Sequence, residues 1–201
     1  MSKRKASLIG LSFLLAGLVH ADNPFLSAPD DKPVTAKFRG AEWGDNIAQD
    51  ELPLSAKVVT TRLAKTSWGQ IFRISFSDIA SRATERRQIS PEYFIATDDH
   101  IYLLNEKDND AAVKQLARAE TPPVFEQAAV YGINEGKLEF NDGPWETTIQ
   151  LKDDLCVYES NHTSSGHFKK VVWKKDVGLV EYAMGRGASA DGFRLKRVKT
   201  K

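Results

Sequence analysis

The sequence predicts a mainly β fold of the β-rich α+β kind. It expects a single curved antiparallel sheet, or an incomplete barrel, with one or two short helices. Three observations lead there. Apolar residues recur at every second position over much of the chain, turn-forming residues separate these runs, and one segment combines helical spacing with stop signals at both ends. Strict alternation sends neighbouring side chains to opposite faces of a strand, so that one face packs while the other stays wet. That pattern belongs to antiparallel sheets rather than to parallel strands buried on both sides.

The first residues read as an address. Lys3, Arg4 and Lys5 form a positive start, Leu8 to Val19 is apolar, and Val19-His20-Ala21 supplies small or branched residues at a cleavage point. Residues 1–21 are therefore expected to be a signal peptide. An apolar run of about twelve residues falls short of the roughly 20 that a spanning helix needs. No cysteine sits at the cleavage point to take a lipid anchor, and no later segment is apolar enough to span. The expected localisation is exported, periplasmic or secreted. Residues 22–33 contain Pro24, Pro29 and Pro33 and little apolar content, which predicts a flexible leader. Residues 34–201 are expected to form one domain, large enough to bury a core without covalent staples.

Within that domain Val34, Ala36 and Phe38 alternate with Thr35, Lys37 and Arg39. Trp68, Phe72, Ile74 and Phe76 share one parity, and so do Trp145, Thr147, Ile149 and Leu151. "EYFIA" and "IYLL" flank Thr97-Asp98-Asp99-His100, a turn. Asn141-Asp142-Gly143-Pro144 and Lys152-Asp153-Asp154 bound the strand begun by Trp145. The helix starts at Asp108-Asn109-Asp110, carries a stripe of Val113, Leu116 and Ala117, and stops at Thr121-Pro122-Pro123. Asp78 to Arg87 is a second helix candidate.

The tail from His167 to Lys199 reads as hairpins. Val171 and Trp173 point one way against Lys170, Val172 and Lys174. Val180, Tyr182 and Met184 form a second inward row, and Phe193 and Leu195 a third, with Lys175-Asp176 and Gly185 to Gly192 as connections. A phosphate loop would run into a helix and carry a lysine-hydroxyl pair, whereas Gly185-Arg186-Gly187 leads into the strand "DGFRL". With its tryptophan strand, its turn, "VGLVEY" and its glycine-containing loop, this tail resembles the ends of small exported bacterial proteins of unassigned function. The resemblance covers about thirty residues and implies a structural hairpin and a bacterial envelope origin, with no activity and no site residues.

Charge is unevenly spread. From Asp98 to Ser160 there are 14 acids and 5 bases, and from Asn161 to Lys201 there are 10 bases and 3 acids. Either the two halves lie side by side in one sheet and neutralise each other, or the basic part is a face for an anionic partner. Without residues 1–21 the chain carries 25 basic and 27 acidic side chains, a balance that disfavours nucleic acid.

Several groups invite chemistry. Cys156, His162 and His167 are zinc-ligand types, yet their spacing matches no standard finger or ribbon. Asp98, Asp99 and His100 combine carboxylate and imidazole, but neighbours on a turn point apart. Ser164-Ser165-Gly166-His167 lacks a strand-to-helix elbow, and Asn161-His162-Thr163 matches a glycosylation acceptor. No metal, cofactor or catalytic set is expected. Trp43, Trp68, Trp145, Trp173, Phe72, Phe76, Phe94, Tyr102, Phe140 and Tyr182 suffice for a core, or for lining a groove in a curved sheet. The leading expectation is a non-enzymatic exported binding protein, such as an inhibitor or immunity factor recognising another envelope protein. Lys169, Lys170, Lys174, Lys175 and Arg186 are its candidate partner-binding residues. A carrier or sensor of a lipid-like amphiphile and an uncharacterised hydrolase are the alternatives.

Overall fold

The computed structural model describes residues 23–26, 32–44, 51–81, 88–98, 100–104, 109–122, 129–132, 137–187 and 191–199, with backbone alone over 129–132 and 137–142. The signal-peptide expectation therefore lies outside the described residues. One meander comprises β1 (Val34–Trp43), β2 (Leu52–Lys65), β3 (Gln70–Ala80), β4 (Glu92–Ala96), β5 (His100–Leu104) and β6 (Ala129–Gly132), with α1 (Asn109–Leu116) between β5 and β6. A second comprises β7 (Lys137–Asp142), β8 (Trp145–Lys152), β9 (Leu155–His162), β10 (Phe168–Lys174), β11 (Gly178–Arg186) and β12 (Asp191–Arg197). All twelve strands belong to one sheet in the order β6-β5-β4-β3-β2-β1-β12-β11-β10-β9-β8-β7. The meanders join where β1 pairs antiparallel with β12, from Phe38 opposite Arg197 to Trp43 opposite Gly192. The sheet curls into a half-barrel, bringing β6 back toward β8 and β9.

The alternating residues face inward. Phe38, Leu54, Phe72, Ile74 and Phe94 from the first meander share a core with Ile149, Val171, Trp173, Tyr182 and Leu195 from the second. Phe94 meets Trp173 edge to face, with centroids 5.5 Å apart and planes at 87°, a preferred geometry for aromatic pairs. The pocket beside Leu26, Phe38, Val58 and Leu179 has room for about one water molecule.

The helix lies on the outer face of the first meander. Val113 and Leu116 pack on buried Trp68, Ile71 and Ile95, and the Trp68 indole donates to the Ala119 carbonyl at 2.9 Å. Ala117, expected in the stripe, is exposed. Trp68 does not join the inward row of Phe72, Ile74 and Phe76. It precedes β3 in a turn closed by Thr66 N–H donating to the Gly69 carbonyl, and there it faces the helix. With α1 covering one side, Tyr93 to Ala96 are buried consecutively and the alternation disappears. The candidate second helix begins as strand, because Asp78 to Ala80 belong to β3, while 82–87 lie outside the described residues.

Two corrections apply to the tail. A bulge at Val172 and Trp173 shifts the register, so Leu179 takes the core position expected for Val180. Gly185 and Gly192 are not loop residues but ladder partners in β11 and β12.

The leader expected to be flexible is, over Asn23 to Leu26, built into the folded body. Asn23 is 2% exposed, and Phe25 and Leu26 belong to the core. The Asn23 side-chain oxygen accepts from the Phe25 and Leu26 N–H groups at 2.9 and 3.2 Å. Its amide nitrogen donates to the carbonyls of Thr97 and His100 at 2.8 and 3.3 Å, and Asp176 N–H donates to the Pro24 carbonyl at 2.7 Å. These contacts close one end of the half-barrel against the β4–β5 and β10–β11 turns. Among the described residues no helix is long and apolar enough to cross a membrane.

Candidate functional site

Register decides where the tail lysines go. β9, from the acidic part of the chain, pairs with β10, from the basic part, and Lys170 stands opposite Glu159. Their side chains form an ion pair on the outer face. Lys174 pairs with Asp154 at 2.8 Å, and Glu181 lies between Arg194 at 3.8 Å and Lys196 at 3.6 Å. The Lys174 ammonium, chiefly through its hydrogen bond, holds the Asp154 carboxyl below its ordinary value against an opposing desolvation, with its charge adding to the same effect. The acidic and basic parts of the chain thus meet along the β9–β10 seam, while Glu181 pairs with Arg194 and Lys196 within the basic part. Lys175 is exposed in the β10–β11 turn, and Arg186 is exposed at the end of β11.

Lys169 differs from the other four candidates. It shares the parity of Val171 and Trp173, so its stem runs into the half-barrel. There its ammonium meets Glu92 of β4, each side chain only 16% exposed. The Tyr182 hydroxyl donates to the other Glu92 oxygen at 2.8 Å. Burial, followed by the Glu92 charge, pushes Tyr182 well above the ordinary tyrosine pKa. Tyr158, on the neighbouring inner row, is pushed up mainly by burial. Thr147 and Ser160 hydroxyls meet at 2.9 Å beside it, as buried polar groups require. Glu92, Lys169 and Tyr182 form a polar bolt between the opposed walls. Sequence reading missed Glu92 because its partner lies 77 residues away.

The groups considered for catalysis or metal binding stay apart. Cys156 is fully buried in β9, and burial raises its thiol pKa far above the ordinary value, so it remains protonated and unreactive. His162 is six residues along the same strand, roughly 20 Å away at strand rise. His162 and His167 do approach, with ring centroids 6.2 Å apart. Yet His162 Nδ1 accepts from Ser165 N–H at 3.1 Å, which puts the proton of the neutral ring on Nε2. Ser165 Oγ lies 2.6 Å from His167 Nδ1, a contact made within one tight hairpin. His100 stacks on Tyr102 outside the sheet, with centroids 5.4 Å apart, while Asp99 lies outside the described residues. Among the described residues no group of three or more His, Cys, Asp or Glu could hold a metal ion.

The tryptophans divide by location. Trp173 is core, Trp68 faces α1, Trp145 meets His162 edge to face at the hairpin end, and Trp43 stacks on Phe168 across the outer face. The side chain of Phe140 lies outside what is described. No protein-family model, curated protein or solved structure matches this chain.

Proposed function

We propose that this is a non-enzymatic exported binding protein that recognises another protein of the bacterial envelope, as an inhibitor or immunity factor does. The contact surface is the outer face of β9 to β12. The observation carrying the reading is the interleaved charge on those strands: Lys170 with Glu159, Lys174 with Asp154, and Glu181 with Arg194 and Lys196. Held on a paired sheet, charges of both signs at set spacings favour one partner and one register, and contribute more to selectivity than to raw affinity. Exposed Lys175 extends the row. The test is capture from envelope extract at low and moderate salt, with wild type beside a Lys170→Glu/Lys174→Glu/Lys175→Glu variant. The reading expects a protein retained by wild type and lost by the variant. Equal recovery by both, or no recovery at either salt, overturns it.

A second reading, a carrier or sensor of an amphiphile, draws on the inward ammonium of Lys169. Native mass spectrometry after gentle purification separates the two, since co-purifying lipid supports the carrier.

A further inference from the structure

Trp43 and Phe168 stand on strands separated by two others, β12 and β11, and so about 14 Å apart at the backbone. Their rings nevertheless come to 6.4 Å, with planes 8° apart. Glycines make this possible. Trp43 is opposite Gly192, Gly192 is opposite Gly185, and Gly185 is opposite Phe168, all at one level of the outer face. A Cβ on Gly192 would stand 2.7 Å from the indole, and one on Gly185 would stand 2.3 Å from the Phe168 ring. Both rings therefore lean over bare backbone toward each other. The planes are nearly parallel and both rings are half-buried, so each keeps part of its surface open on the outer face. The same level continues through Asn161, opposite Phe168, to Glu146, opposite Asn161, both exposed. Two ladder positions along β12, on the same face, lies Arg194, 53% exposed.

We infer that this row is a carbohydrate-binding platform for a β-linked glycan of gluco-configured pyranoses, the glucose or N-acetylglucosamine type. Such a ring carries its substituents at the edge and turns axial C–H bonds to both faces. Those weakly positive C–H groups suit the negative face of an aromatic ring. The hydroxyls at the sugar edge need donors and acceptors together, which the Asn161 carboxamide, the Glu146 carboxylate and the Arg194 guanidinium supply. The row crosses six strands, roughly 24 Å, a length matching several sugar units. This row lies on the same outer face of β9 to β12 as the proposed protein contact and shares Arg194 with it, but the glycan is tested without reference to any protein partner.

The experiment titrates the full-length protein with hexamers of β-1,4-linked N-acetylglucosamine and of β-1,4-linked glucose, with α-1,4-linked glucose hexamer as control. Binding is followed by tryptophan fluorescence and by two-dimensional NMR. One or both β-linked hexamers should bind, and the two arms say which. Trp43→Ala should weaken binding about tenfold, the equivalent of ~1.4 kcal/mol. Asn161→Ala and Glu146→Ala, at exposed strand positions, should weaken it about threefold each. The proposal is overturned if neither β-linked hexamer binds up to about 10 mM, if the α-linked hexamer binds equally well, or if the exposed-position variants and Phe168→Ala all bind as wild type does.

Discussion

Lys169 illustrates how one position of parity changes what a charged residue does. Lys170, its neighbour, meets Glu159 in water, where an exposed pair contributes about 0–1 kcal/mol. Lys169 meets Glu92 and Tyr182 between two walls, where removing one partner leaves a charge poorly solvated. Lys169→Met is therefore expected to destabilise by about 2–4 kcal/mol, reduced from the fully buried case because each side chain keeps some solvent. Lys169→Met/Glu92→Leu should recover much of that loss, and urea denaturation of the single and double variants checks it. Equal losses in both variants would show that the pair acts independently of its charge. Tyr182 adds a pH dependence. Its folded pKa is raised, so the folded state keeps a proton that the unfolded tyrosine releases near pH ~10. Stability is whole below that pH and falls as pH rises above it. Tyr182→Phe, less stable at neutral pH, should decline less steeply in alkaline melts; an unchanged slope would refute the assignment.

At the scale of elements, the tetrapeptide Asn23 to Leu26 does more than its composition announces. Proline-rich sequence without period reads as leader, yet the Asn23 amide satisfies all four of its hydrogen-bonding positions with backbone. Asn23→Ala is expected to cost about 2–4 kcal/mol by leaving those groups unpaired. Asn23→Asp should also destabilise, since a carboxylate cannot donate to Thr97 and His100. Thermal denaturation measures both, and a melting point within a degree or so of wild type for Asn23→Ala would mean the segment is only loosely held. The alternating strands were legible because each obeys a local rule: β1, β8 and β10 follow their sequence parity. Where α1 covers the sheet, the rule fails. Tyr93 to Ala96 are buried on both sides, and nothing within that segment says that a helix will lie over it. The bulge that turns Leu179 inward likewise depends on how β10 and β11 register, not on either strand alone.

Across the whole molecule, the first and last strands meet at the centre of the sheet rather than at its edges. The β1–β12 pairing spans most of the chain, and the Phe94–Trp173 and Glu92–Lys169 contacts tie the two meanders again across the interior. Neither meander can bury its inner face without the other, so the halves should unfold together. Circular dichroism and tryptophan fluorescence are expected to give coincident urea transitions. Two separated transitions would reveal independent halves. So many distant contacts also predict slow folding, in the millisecond-to-second range of β topologies.

By itself the sequence determined the class of fold, most of the inward rows, the presence and start of the helix, and the split of acidic and basic charge, because periodicity, turn chemistry and capping act between near neighbours. Only the tertiary structure decided that Lys169 faces Glu92, that Asn23 seals one end, that Gly185 and Gly192 let Trp43 reach Phe168, and that acidic β9 lies against basic β10. Each of these depends on which distant strands come together, and that choice is made by burying the inner faces of both meanders at once.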